Sequence, residues 1–246
     1  MDKETLAKLR KRIKEGGRVV FLGGAGVSTA SGISDFRSPQ GLYNIHSKYG
    51  VPYEKMLSHS YFYEHTDTFY DFYWSTMVDL NAKPNKAHYA LANFEKNRPE
   101  HHLMIITQNI DGLHQEAGSH MVFEAHGSTK RYFCTRCGKK LKISDIPNSG
   151  VPHCPECGGL VKPDVVLYEE PLDEDVMESC LNAVKFADIL IIGGTSMNVY
   201  PIAALPNYFL GGLTIMINKE PTPYDSHCDY AIHEDIGDTL EALLGD

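Results

Sequence analysis

Two Cys-x-x-Cys pairs, Cys134/Cys137 and Cys154/Cys157, are the residues whose type and spacing speak most directly of chemistry. Sixteen residues separate the pairs, and each pair runs into a glycine, Gly138 or Gly158, where the chain can turn both thiolates toward one ion. Four soft sulfur ligands suit tetrahedral zinc and leave no position open to a substrate, so such a site would be structural. Two disulfides or a redox pair are the alternatives. Cys180 and Cys228 have no partner at ligand spacing and read as plain thiols.

A second set of candidates sits just after apolar runs. Gly24-Ala25-Gly26 follows Arg18 to Leu22. A strand feeding a glycine turn and then a helix opens dinucleotide-binding folds, because backbone N–H groups reach a phosphate only where side chains are absent. Thr29 stands in place of the third glycine of that fingerprint, and no clear acidic residue follows about twenty positions on to hold a ribose. Taken alone, the motif fits a ligand-free turn as well. Thr107-Gln108-Asn109-Ile110-Asp111 and His126-Gly127 also leave apolar runs, which sets their polar groups at the carboxyl edge of a sheet, where α/β folds bind ligands. A near-neutral imidazole at such an edge suits proton transfer. A structural histidine and an Asx-type turn are the plainer alternatives.

The runs that would carry these residues are short and strand-like: Arg18–Leu22, Leu103–Thr107, Met121–Ala125, Asp164–Leu167, Ile189–Ile192 and Thr214–Ile217. Helical patterns lie between several of them, which predicts an α/β fold with a mostly parallel, doubly wound sheet. An amphipathic helix opens the chain, with Leu6, Leu9 and Ile13 on one face. Residues 42–78 are aromatic and helical in texture and read as an insertion. Residues 130–160 hold the four paired cysteines and too little apolar content to fold without a staple. The expected division is therefore a Rossmann-like domain of residues 1–40, 79–129 and 161–246. Residues 41–78 and 130–160 would make a smaller domain.

Composition narrows the function classes. Of 246 residues, 42% are hydrophobic and 22% charged, which is ordinary for a soluble domain. No stretch approaches the roughly 20 apolar residues of a membrane span. The charged N-terminal helix lacks the apolar centre of a signal peptide, so a cytoplasmic location is expected. A net charge of −9 argues against direct nucleic-acid binding. It could attract lysine-rich substrates weakly, or simply keep the protein soluble.

From Gly24 the chain reads GAGVSTASGISDFR to Arg37, which closely resembles the opening motif of the sirtuins, NAD-dependent protein-lysine deacylases. TQNID (Thr107–Asp111), His126-Gly127, the two cysteine pairs, GGTSMNVYP (Gly193–Pro201) and Ile217-Asn218 follow in that family's order. The resemblance spans residues 15 to 240. It implies a Rossmann-like domain, a smaller domain of zinc ribbon and helical insertion, and a cleft between them that admits NAD and an acyl-lysine peptide. It also implies a structural zinc on the four paired cysteines.

By that resemblance Ala25, Thr29, Phe36 and Arg37 line the loop over the phosphates and nicotinamide ribose. Arg37 offers a planar cation to a pyrophosphate. Asn109 and Asp111 hold the nicotinamide amide, Ile110 packs on its ring, and Gln108 meets the ribose. His126 is the general base. Acetyl oxygen attacks the ribose carbon and expels nicotinamide, after which His126 takes a proton from a ribose hydroxyl. The products are free lysine, nicotinamide and O-acetyl-ADP-ribose. Thr195 and Ser196 would contact ribose and phosphate of the adenosine half, with Asn218, Lys219, Asp235 and Ile236 around the adenosine.

The resemblance lays the substrate, an acetyl-lysine protein or peptide, as an extended strand between Val166-Leu167-Tyr168-Glu169 and Asn198-Val199-Tyr200. Backbone pairing of that kind tolerates varied sequences. Two departures stand out: Glu169 replaces the family's usual glycine in the peptide groove, and Ser34 replaces a proline and is expected to loosen its loop. Sirtuins that prefer succinyl- or malonyl-lysine carry a tyrosine and, three residues on, an arginine in the helical insertion. Here Tyr70 could supply the tyrosine, but Tyr73 stands at the arginine position. ADP-ribosyl transfer to protein, or NAD and peptide binding without catalysis, are the competing functions.

Overall fold

The computed structural model of the chain describes residues 1–34 and 48–245. Nine strands are found among them: β1 (Val19–Gly23), β2 (Met104–Thr107), β3 (Val122–Glu124), β4 (Gly127–Cys134), β5 (Lys140–Lys142), β6 (Val161–Val165), β7 (Ile189–Gly193), β8 (Leu213–Ile217) and β9 (Tyr230–Ile232). Six form a parallel sheet in the order β3-β2-β1-β7-β8-β9. Counted within the sheet this is 3-2-1-4-5-6, the order of dinucleotide-binding folds, with its reversal point between β1 and β7. Gly23 and Gly193 face each other there in register, so both strands open into one crevice at their carboxyl ends.

Residues along β1 alternate between two cores. Val19 and Phe21 pack with Leu9, Ile13, Leu91, Phe94 and Leu240 on one face of the sheet. Val20 and Leu22 pack with Cys180, Val184, Ile202 and Leu205 on the other. A strand covered on both faces reads as a continuous apolar run, which is why VVFL and ILII lack polar alternation. The first face is covered by α1 (Lys3–Lys14), by Lys86–Asn97 and by Ile236–Leu244. The second is covered by Glu174–Phe186 and a 3-10 segment, Ile202–Tyr208. None of the described helices is long and apolar enough to cross a membrane.

Between α1 and Lys86 the described residues include the short helices α2 (Tyr53–Met56), α3 (His59–Glu64) and α4 (Thr66–Phe72), then a π turn over Tyr73–Met77. The helices that follow are α5 (Lys86–Asn97), α6 (Leu113–Ala117), α7 (Glu174–Phe186) and α8 (Ile236–Leu244). Strands β5, β4 and β6 make a separate antiparallel sheet. Its residues Tyr132, Cys134, Leu141 and Val161 share one core with Met56, Phe62, Phe69, Tyr70 and Tyr73. Helical insertion and cysteine-bearing sheet are thus one packed unit.

Two sequence expectations change here. The strand expected at Asp164–Leu167 is Val161–Val165, and it joins the small antiparallel sheet rather than the parallel one. Its apolar residues pack against the aromatic insertion, a core that period alone does not distinguish from the main one. Among the described residues no long helix follows directly on the glycine turn; the chain makes two 3-10 turns, Ala25–Val27 and Thr29–Ser31. Ser28, Thr29 and Ser31 are weak helix formers, and Gly32 ends the second turn at φ 85°. The sequence does not mark the edge strand β9, because Tyr230–Ile232 is hemmed by polar residues on both sides and joins no apolar run.

Candidate active site and metal centre

The crevice predicted by the sheet order widens into a cleft of about 1610 Å³. That exceeds the roughly 300–1,000 Å³ of a site for one small ligand and leaves room for two. It is lined by Ala25 and Thr29 from the glycine loop, by Gln108, Asn109, Ile110 and Asp111 after β2, and by His126 after β3. Thr195 and Ser196 follow β7, Asn218 and Lys219 follow β8, and Asp235 and Ile236 begin α8. Val166, Leu167, Tyr168 and Glu169 face it after β6, and Asn198, Val199 and Tyr200 complete it. Phe36 and Arg37 lie outside the described residues.

Hydrogen bonds tie the polar residues into one unit. Ser28 donates its hydroxyl to Asp111 Oδ2 at 2.7 Å and accepts from Asn109 Nδ2 at 3.0 Å. Asp111 Oδ1 accepts the Leu113 N–H at 2.9 Å. Gln108 Nε2 reaches Thr195 Oγ1 at 3.1 Å, linking the ends of β2 and β7. Asn85, the cap of α5, donates to Val27 O and Ser31 Oγ, both at 2.8 Å, and so fastens the glycine loop to that helix. Ser28 was missed in the sequence reading. Its signal was its place inside the glycine loop; its full burial and its two partners come from different segments. Ser28→Ala leaves Asn109 Nδ2 and Asp111 Oδ2 without their partner, and kcat/KM is expected to fall about tenfold. Unchanged kinetics in a Ser28→Ala titration of NAD and peptide would remove Ser28 from the site.

His126 is fixed on one side. Its Nδ1 lies 3.0 Å from the Gln108 carbonyl oxygen. A carbonyl can only accept, so this nitrogen carries the proton and the neutral ring keeps its lone pair on Nε2. Gly127 follows at φ 77°, with Asp164 O only 2.0 Å from where a Cβ would stand. Only glycine lets β4 leave His126 so close to β6.

The crossing of the two glycine segments is as tight. A Cβ on Gly26 would meet Gly194 Cα at 2.8 Å, and one on Gly194 would meet Val27 N at 2.6 Å. Two glycine backbones therefore cross without side chains at the ends of β1 and β7, a surface that fits the phosphates of a dinucleotide. At the other end of the cleft, Asp235 caps α8 through Gly237 N and Asp238 N at 2.9 and 3.1 Å, and pairs with Lys219 at 3.2 Å. The Asp238 N–H, with the Gly237 N–H and Lys219, holds its carboxyl below the usual carboxylate range despite partial burial.

The segment after β6 is held by its own backbone N–H groups. Val166 N donates to His126 O at 3.0 Å, Leu167 N to Glu170 Oε2 at 2.9 Å and Tyr168 N to Leu57 O at 2.9 Å. Burial opposes charge on Glu170, but the Leu167 N–H, His59 and Lys162 together hold its carboxyl below its ordinary value. Tyr70 departs from expectation. It is wholly buried, donates its hydroxyl to Val161 O and packs with Phe62, Phe69 and Trp74, so it faces the small core and not the cleft. Tyr73 is buried beside it, 3.0 Å from the Tyr132 hydroxyl.

The four sulfurs of Cys134, Cys137, Cys154 and Cys157 all lie within 4.8 Å of one another. Cys134 and Cys157 are 3.5 Å apart and Cys137 and Cys154 3.8 Å apart. Disulfide sulfurs sit about 2.05 Å apart. Tetrahedral Zn–S bonds of about 2.3 Å put sulfurs roughly 3.8 Å apart. The donor set fits zinc, which would only cross-link because no fifth position remains. Cys134 and Cys154 belong to the core shared with the insertion. Cys154→Ser is therefore expected to lower solubility and activity together. A folded, zinc-free variant with full activity would contradict a structural role. Burial pushes the Cys180 and Cys228 thiols up to about 12, which disfavours the reactive thiolate form.

Known proteins share this arrangement. The family model described as Sir2 family matches residues 24–201. A protein of Clostridium acetobutylicum named NAD-dependent protein deacetylase is 47% identical over 243 residues, 98% of each chain. One of the same name from Cutibacterium acnes is 50% identical over 94% of each. Among solved structures, a Sir2 with a deacetylated p53 peptide and 3'-O-acetyl ADP ribose superposes with a TM-score of 0.85 at 33% identity. The match covers 99% of this chain and 98% of that one. A Sir2 homolog–NAD complex gives 0.84 at 33% identity, covering 99% and 93%. Parallel sheet, glycine crevice, four-sulfur cluster and near-full-length similarity agree: this chain belongs to the Sir2 family.

Proposed function

We infer that the chain is an NAD-dependent protein-lysine deacetylase, which transfers the acetyl group of acetyl-lysine to ADP-ribose. It releases nicotinamide, O-acetyl-ADP-ribose and the deacetylated protein. The observation that carries this reading is the joining of Asn109, Ser28 and Asp111 with a tautomer-fixed His126 at the crevice of a dinucleotide-binding sheet. NAD, when bound, supplies the ADP-ribose acceptor and the nicotinamide leaving group.

The chain's own residues divide the work. Backbone around Ala25 and Thr29, with Phe36 and Arg37, holds the phosphate side. Asp111 has lone pairs left after its bonds to Ser28 and Leu113, and Asn109 keeps its carbonyl oxygen, so together they hold a carboxamide. Ile110 covers that group's ring. Gln108, held against Thr195, meets the nearer ribose, and Ser196, Asn218, Lys219, Asp235 and Ile236 surround the adenosine half. His126 takes a proton at Nε2, while its Nδ1–H stays on the Gln108 carbonyl. Val166 to Glu169 and Asn198 to Tyr200 receive the acetyl-lysine peptide. The cytoplasm suits four zinc-binding thiolates, and a net charge of −9 suits protein rather than nucleic-acid substrates.

Nicotinamide release is the test. It is expected with an acetylated peptide and absent with the same peptide unmodified. Equal release with both would favour ADP-ribosyl transfer and overturn the deacetylase reading.

A further inference from the structure

Glu169 stands at φ 73°, in the left-handed region that a side chain other than Asn or Asp seldom occupies. Its carboxylate is bound to α3: Oε2 accepts the Ser60 N–H at 2.9 Å and Oε1 accepts the Ser60 hydroxyl at 3.1 Å. Its neighbours make the same crossing. Tyr168 N donates to Leu57 O and the His59 N–H donates to Tyr168 O, each at 2.9 Å, and the Tyr53 and Tyr168 hydroxyls meet at 2.9 Å. Glu170 bridges His59 Nδ1 at 2.9 Å and the buried Lys162 Nζ at 3.0 Å. A seam of backbone and side-chain bonds thus fastens the peptide wall of the cleft to the helical insertion, and Glu169 is the link at its mouth.

We propose that Glu169 is a positioning residue for the acetyl-lysine peptide. Through Ser60 it holds the Val166–Glu169 wall against α3, so the groove is formed before the peptide arrives. A preformed wall spares the peptide the ordering of that segment, and affinity rises accordingly. The role rests on the deacetylase reading above. The side chain, not the backbone conformation, does the holding, and substitutions separate the two. Glycine adopts φ 73° without strain but has no carboxylate. Glutamine keeps an acceptor for the Ser60 N–H and a donor for its hydroxyl.

The test compares Glu169→Gly, Glu169→Gln and wild type in two measurements. In hydrogen exchange on the free protein, the Ser60 amide loses its acceptor in Glu169→Gly and exchanges faster, while Glu169→Gln stays close to wild type. In steady-state kinetics, Glu169→Gly raises KM for the acetylated peptide about tenfold, the effect of losing a charge-assisted bond, with kcat and KM for NAD changing much less. Glu169→Gln restores most of the peptide KM. Faster Ser60 exchange with an unchanged peptide KM would overturn the positioning role, as would a peptide KM that glycine leaves alone. A wild-type protein that turns over no acetylated peptide would overturn the deacetylase reading and this role with it, a result distinct from either of those.

Discussion

Replacing His126 by alanine is expected to lower deacetylation about 100-fold or more, the usual cost of losing a general base. NAD binding should be largely intact, because the residues assigned to the dinucleotide belong to other segments. Exchange of labelled nicotinamide is expected to survive better than product formation, since the proton transfer assigned to His126 follows nicotinamide departure. His126→Asn sharpens the test. An asparagine amide can still donate toward the Gln108 carbonyl, which His126 meets at 3.0 Å, but it has no basic nitrogen. Both variants should therefore be slow. Recovery of activity in His126→Asn would reduce His126 to a structural pin, and a wild-type rate in His126→Ala would end its assignment.

The second large effect concerns the acyl group. Acetyl-lysine is expected to be preferred over succinyl-lysine by about 100-fold in kcat/KM, from the 3 kcal/mol or so that an unpaired buried charge costs. The insertion lends the cleft Tyr53, Glu54, Leu57, Ser75, Thr76, Met77 and Val78, with Asp79 just after it; among the described residues these include two carboxylates and no Lys or Arg. The described lysines of the cleft, Lys86 and Lys219, are paired with Asp238 and Asp235 toward the start of α8. Tyr70 and Tyr73 are turned into the small core, so neither reaches an acyl carboxylate. A neutral acetyl group asks only for an apolar sleeve. The comparison is one peptide carrying either modification, and equal or better turnover of the succinylated form would contradict this account.

What the sequence makes legible follows physical signal. VVFL and ILII are continuous apolar runs because both faces of their strands are covered, and each ends in glycines that mark the crevice. The cysteine pairs declare a closed metal site because thiolate spacing reports ligand geometry directly. Other features depend on contacts between distant segments and leave little local trace. Ser28 is one serine among several until Asn109 and Asp111 are folded onto it. Val161–Val165 carries an apolar pattern that suits either core, and only pairing with β4 decides which. The alignment that offers Tyr70 to the acyl group fails because residues 66–77 run through a helix and a π turn. In that path Tyr70 points to Val161. Glu169 lines the cleft, and only the fold shows that its carboxylate is engaged by Ser60.

Mass spectrometry of the products formed from NAD and an acetyl-lysine peptide tests the central claim most directly. Unmodified peptide, nicotinamide and O-acetyl-ADP-ribose are expected in equal amounts, with no product when either NAD or the acetyl group is left out. Free acetate in place of O-acetyl-ADP-ribose, or peptide carrying ADP-ribose with its acetyl group intact, would contradict it.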